Sequence, residues 1–218
     1  MISFTSEENE IIKKCIKKGH SSWNDDNVSD LKAKIKEALK ERQRYCCCYC
    51  SRSFHGEFNF VIDIEHILPK HKYVNRMFEL DNLAASCKRC NMKMKGRRID
   101  FLSSSFDEKS PYKQDSYLFI HPNFDKFEKH IDYSHNQRGT IIVVKYDILG
   151  NSEKAKFSYA FFQLDKLEVH TNNLAQGIKS YEDEWLGKPE LDDDDEHIAE
   201  IFNKIESEVE QLALQFDQ

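Results

Sequence analysis

A chain of 218 residues is long enough to bury a core without disulfide staples, and 39% hydrophobic against 32% charged residues excludes a disordered protein. No apolar run reaches the roughly 20 residues of a membrane span, and "MISFTSEENEII" has no basic region and apolar stretch of a secretory leader, so no membrane role is expected and the thiols should be reduced, in the cytoplasm. The net charge of −6 speaks against nucleic acid only until it is divided: residues 182–218 hold fourteen acids and two lysines, leaving +6 on residues 1–181, and His66–Arg98 alone sets nine bases against Glu79 and Asp81.

In chain order, "TSEENEIIKKCIKKG" predicts a short helix, with Ser6 as cap, Ile11, Ile12, Cys15 and Ile16 on one stripe and Gly19 as the stop. "NVSDLKAKIKEALKERQRYC" predicts a second, with Ser29 as a possible cap and Leu31, Ile35, Ala38 and Leu39 facing a core. In "EFNFVIDIEHIL" the alternation of Phe58, Phe60, Ile62 and Ile64 predicts a strand ending near His66, before Pro69. "RCNMKMKG" predicts a short helix closed by Gly96. "TIIVVKYD" and "KAKFSYAFF" predict a hairpin turning near Gly150 and Asn151. "YEDEWLGKPELDDDDE" reads as an acidic link, and Ile198, Ile201, Phe202, Ile205, Val209, Leu212 and Phe216 predict a terminal amphipathic helix. The expected segments are 1–45, helical; 46–100, the core carrying chemistry; 101–181, an accessory α/β region; and 182–218, the acidic link with its helix.

Seven cysteines, four of them in "CCCYC" at positions 46–50, make an odd and clustered set, which argues for metal rather than disulfides. Four of the seven form two pairs separated by two residues, Cys47 with Cys50 and Cys87 with Cys90, the spacing at which a tight turn aims two thiolates at one tetrahedral centre. All four protein positions would then be filled, so the zinc is expected to be structural. The 36 residues between the pairs exceed a simple ribbon, so something substantial sits inside the clasp. Cys46 and Cys48 form no such pair, and Cys15 reads as a core residue of the first helix.

That insert holds "DIEHILP", then "DNL", then "CKRCNMKMKG". In this arrangement residues 46–97 resemble the HNH endonuclease family, whose ββα-metal core carries a His, a central Asn and a final His or Asn between two zinc-binding cysteine pairs. The resemblance implies an α+β fold with a ββα-metal core clasped by four cysteines, flanked by an N-terminal helical segment and a mixed C-terminal region. It implies His66 as general base, Asn82 as the residue that orients the catalytic loop, and Glu65 with Asn91 on one magnesium or manganese ion. Asp63, two positions earlier on the same strand face, is a rival ligand. Lys70, Lys72, Lys88, Arg89, Lys93, Lys95, Arg97 and Arg98 are expected to meet the phosphates of nucleic acid, DNA first. The family often ends Cys-Asn-x-x-Lys-Gly, whereas this chain reads "CNMKMKG", with Met94 where that lysine would stand. The general layout also resembles the nuclease subunit of Septu-type anti-phage systems, which pairs with an ATPase subunit. The expectation is a metal-dependent endonuclease, and its rival is a zinc-clasped binding module without catalysis.

Overall fold

The computed structural model describes residues 2–170. The acidic link and the terminal helix expected beyond Glu182 lie outside the described residues. Helix α1, Ser6–Lys18, is capped by Thr5, one residue before the expected Ser6: Thr5 Oγ1 accepts from the Glu8 N–H at 3.2 Å while the Glu8 carboxylate accepts from the Thr5 N–H at 2.7 Å, a reciprocal capping box. Gly19, with φ 106°, ends the helix as expected. Helix α2, Ser29–Arg42, includes Ser29 inside its first turn; its N-cap is Val28, which offers no side-chain bond. Val28, Leu31, Ile35 and Leu39 are buried on its inner face.

Strand β1, Ile62–His66, pairs antiparallel with β2, Leu83–Cys87, in the register Ile62 to Cys87 and His66 to Leu83. The expected strand over Phe58–Ile64 is corrected here. Its first half is a 3-10 turn, Asn59–Val61, because Ile62 already faces the last residue of β2 and residues 58–61 have no strand to pair with. After β2 the chain enters a helical segment, Arg89–Lys95, closed by the Gly96 N–H on the Asn91 carbonyl at 2.7 Å, an i to i+5 bond of π type. Gly96 ends it at φ 47°. Two strands and this segment, backed by α2, make the ββα core.

The expected hairpin around Gly150 is also corrected. Strand β3, Ile131–Arg138, pairs with β4, Ile141–Ile148, through a two-residue turn at Gly139, whose φ is 61°. "KAKFSYAFF" lies in helix α3, Glu153–Phe161, capped by Ser152 Oγ on the Ala155 N–H at 3.2 Å, with Ala155, Ser158 and Phe161 buried at three-residue spacing. A short strand β5, Val169–His170, completes the second sheet in the order β3-β4-β5. Behind the ββα core, Tyr49, Phe101, Tyr117, Phe119 and Phe162 form a buried aromatic wall, with Tyr49 stacked on Phe162 at 4.2 Å. His121 lies in this layer, between Tyr117 and Phe124, and burial pushes its imidazole down to about 3. Among the described residues no helix is long and apolar enough to cross a membrane.

Candidate active site and metal centre

The four sulfurs of Cys47, Cys50, Cys87 and Cys90 lie within 4.8 Å of one another. Cys47 to Cys87 is 3.7 Å and Cys50 to Cys87 is 3.9 Å. A tetrahedral centre with zinc–sulfur bonds of about 2.3 Å requires sulfurs about 3.8 Å apart, so this cluster has the spacing of a four-thiolate metal site. Local backbone explains the convergence. The Ser51 N–H closes on the Cys47 carbonyl at 2.9 Å, Ser51 takes φ 55°, and the Cys87 N–H donates to Cys47 Sγ at 3.3 Å. Cys46 and Cys48 lie outside the cluster; Cys48 uses its N–H on the Ala85 carbonyl, which ties the turn to β2. Cys15 is buried in the core.

His66 ends β1 and is buried against Trp23, with ring centroids 4.5 Å apart and the planes near perpendicular. Its Nε2 is 3.1 Å from the Met77 carbonyl. A carbonyl only accepts, so Nε2 carries the proton and Nδ1 keeps the lone pair. Burial holds this imidazole well below its ordinary range, and Lys70 and Lys95 add repulsion against the pull of the Met77 carbonyl. The ring is therefore neutral at pH 7, with one nitrogen ready to accept a proton.

Asn82 is buried and binds the loop that follows His66 at both ends. Its Oδ1 accepts from the Leu68 N–H at 2.7 Å, and its Nδ2 donates to the carbonyls of Leu68 and Arg76, each at 3.1 Å. Its own carbonyl takes the Ile67 N–H at 2.9 Å. One side chain thus sets the loop that carries Met77 back to the imidazole.

The two acids of β1 part company. Asp63 Oδ2 accepts from Asn91 Nδ2 at 3.0 Å, and Lys88 sits 3.1 Å from Oδ1, in a pair whose side chains are 19% and 29% exposed. Glu65 Oε1 is 2.9 Å from the Tyr49 hydroxyl and 2.8 Å from Lys95 Nζ, and both Glu65 and Lys95 are 1% exposed. Burial raises the Glu65 carboxyl above its ordinary range, against the opposing pull of Lys95 and the Tyr49 hydroxyl. The structure therefore bonds Asn91 to Asp63, while Glu65 is bonded to Tyr49 and Lys95. Asp63 and Asn91 supply oxygen donors of the kind a magnesium or manganese ion takes, and they open toward solvent.

Lys95 is a correction: expected on phosphates, it is buried, spanning Glu65 and the His66 carbonyl, the latter at 2.8 Å. The π-type turn is the reason. "CNMKMKG" has one residue more between its Asn and its Lys-Gly than the family pattern, and an i to i+5 bond absorbs one residue, so Lys95 turns inward. Arg89 is a second correction, since both terminal nitrogens donate inward to the carbonyls of Phe162 and Gln163, each at 2.8 Å. Arg98 pairs with Asp100 at 2.6 Å and lies 3.9 Å from the Phe161 ring centre. Lys72, Lys93 and Arg97 are exposed and Lys70 is half-buried, which keeps a basic surface, though a smaller one than the sequence suggests.

Sequence reasoning did not find Trp23, Tyr49 or the Met77 carbonyl. Trp23 is remote in sequence and carries no motif, whereas Tyr49 stands between two ligand-spaced cysteines and could have been suspected of facing the same interior. Lys95 was within reach of the family pattern once an inserted residue is allowed.

Residues 47–97 match the family described as HNH endonuclease. Over 88 residues the chain is 35% identical to the Septu protein PtuB of Bacillus thuringiensis, a match covering 40% of this chain and 31% of that protein. The chain thus spans about a third of the length of this curated relative.

Proposed function

We propose that this chain, whose residues 47–97 carry the HNH endonuclease pattern on a ββα core, is a metal-dependent endonuclease that hydrolyses phosphodiester bonds of nucleic acid, DNA first. The observation that carries the reading is the 3.1 Å contact of His66 Nε2 with the Met77 carbonyl, which calls for a proton on Nε2 and leaves Nδ1 as the acceptor. In hydrolysis that nitrogen takes a proton from the attacking water as its oxygen bonds to phosphorus and the bond to the leaving oxygen breaks. Asn82 acts as a positioning residue, since it holds the loop that holds Met77.

The four cysteines would hold a structural zinc ion, which would pin the Cys47–Cys50 turn after α2 to the end of β2. A magnesium or manganese ion would be held by Asn91 and an acid of β1. Asp63 is favoured because it already meets Asn91 at a solvent-open edge, whereas at Glu65 a divalent ion would have to displace or repel the buried Lys95 ammonium. Such an ion supplies electrostatic stabilisation of the charge developing on the phosphate and the leaving oxygen. The 35% identity to a Septu protein supports the further reading of an effector nuclease in an anti-phage system, acting in the cytoplasm with an ATPase partner. The rival, a zinc-clasped module without catalysis, has no observation in its favour at His66.

The test is cleavage of plasmid DNA and RNA with magnesium or manganese, comparing the parent with His66→Ala. The variant should keep its zinc and its circular dichroism and lose cleavage by about 100-fold or more. A folded, zinc-loaded variant that cuts at the parent rate would refute the assignment.

A further inference from the structure

The loop leading into β1 carries a patch that the core does not use. Phe58 is 64% exposed and Phe60 49%, yet their rings are ordered against each other, 6.2 Å between centres and 4° between planes. Large exposed apolar rings held in parallel are costly in water and mark an interaction site. Helix α2 holds the loop from below: Lys36 Nζ donates to the carbonyls of Asn59 at 3.1 Å and Ile62 at 2.6 Å, and Lys40 Nζ donates to Asn59 Oδ1 at 3.2 Å. Lys88 Nζ sits 4.8 Å from the Phe60 ring centre. A second ring pair shares one of these lysines: Tyr45 stacks on the exposed His55 at 5.1 Å, and Lys40 Nζ is 5.6 Å from the Tyr45 ring centre.

The lysines are close enough to repel one another. Burial pushes Lys36 below its ordinary range; Asp63 pulls it back, and Lys88, Lys40 and Lys32 deepen the shift. Asp63 and Glu37 are the carboxylates bonded within this group, on Lys88 and Lys40 respectively. Lys36 and the buried Lys40 are spent on holding the loop, and the part-exposed Lys88 ammonium beside the exposed rings matches a ligand that offers flat π faces and phosphates together.

We propose that Phe58 and Phe60, flanked by Lys88 and held from below by Lys36 and Lys40, form a stacking platform for the unpaired bases of a single-stranded nucleic acid. A duplex buries its base faces within the stack, so a single strand is the form that can use parallel exposed rings. The platform lies six to eight residues before His66, at most roughly 26 Å along an extended chain at about 3.3 Å per residue. The inference rests on the nuclease reading in naming a substrate form for the same site: a single strand, or the unpaired stretch of a partly opened duplex, entering along β1.

The experiment measures binding of fluorescein-labelled single-stranded DNA and RNA, and of the matching duplex, to the full chain without added divalent ion. The parent should bind the single strands more tightly than the duplex. Phe58→Ala/Phe60→Ala should weaken single-strand binding by about tenfold or more, leave duplex binding unchanged and leave Tm unchanged. Phe58→Leu/Phe60→Leu should also lose most of the effect, since leucine keeps apolar area and cannot stack. Parent-like binding by the alanine variant overturns the platform. So does full retention by the leucine variant. A fall in Tm with binding unchanged would place the rings against protein, either residues 182–218 or a partner, and overturns it as well. Because binding is read without cleavage, an inactive parent would remove the nuclease reading alone, and an active variant with unaltered binding would remove the platform alone.

Discussion

Two carboxylates leave strand β1 two residues apart, and the molecule treats them in opposite ways. At the open edge, Asp63 faces Asn91 and Lys88 where solvent and ions can reach. In the closed interior, Glu65 is locked between Tyr49 and Lys95, with Lys95 also on the His66 carbonyl. Side-chain alternation cannot separate them, since residues i and i+2 share a face. What separates them is what lies beyond the strand: among the described residues Tyr49 and Lys95 of the π-type turn bury Glu65 to 1% exposure, whereas Asp63 between Asn91 and Lys88 keeps 19%. An acid at the open end is available for exchange with a divalent ion; an acid at the closed end is committed to holding a buried cation in place.

The largest expected effect would break both ends at once. Cys50→Ser should release zinc and abolish the cooperative unfolding of the core, because structural zinc in small domains contributes on the order of 10 kcal/mol and the cysteine turn holds β2 through Cys48 and Glu65 through Tyr49. Cys46→Ser should keep zinc bound, as metal analysis would show; loss there would mean that the cluster takes a different set of sulfurs. Next in size, Lys95→Met should cost about 3 to 5 kcal/mol in denaturant unfolding, because it leaves the Glu65 charge buried and unpaired. Lys88→Met should cost less than about 1 kcal/mol, as a partly exposed pair does. Adding Glu65→Gln to Lys95→Met should recover much of the loss, and equal costs at Lys95 and Lys88 would erase the distinction between closed and open ends. The smallest effect on stability and the sharpest on function belongs to Asp63→Asn. It should weaken the response to magnesium or manganese by at least about tenfold with little change in unfolding. If the ion response follows Glu65→Gln and spares Asp63→Asn, the ion binds at the closed end and the assignment is reversed.

The legible parts were those whose signal is local. Cysteine pairs at fixed spacing, a His closing a strand before a proline, and an Asn directly after the last cysteine all report chemistry that a few neighbouring residues build. The four-cysteine cluster and the strand ending at His66 stand where the pattern put them. Illegibility came from partners distant in sequence. Phe58 and Phe60 alternate like strand residues, yet strand formation needs a second chain beside them and β2 is only five residues long. "KAKFSYAFF" looks like a strand by composition, but the Ser152 cap and the aromatic wall behind α3 decide for a helix. The strand it was paired with found its partner upstream, in a segment whose polar residues hide the alternation.

By itself, the amino-acid sequence pointed to a four-thiol metal cluster and a basic stretch, because cysteines two residues apart are brought together by a single turn; the expectation of an imidazole base and oxygen ligands for an ion came from the family resemblance. Only the tertiary structure decided which charges are free to act. Lys95 and Arg89 read as surface bases and are turned inward, Glu65 reads as a ligand and is buried, and Asp63 reads as its understudy and meets Asn91. Burial is a property of everything packed around a side chain, so a charge's availability is settled by residues such as Tyr49, Trp23 and Phe162 that carry no motif of their own.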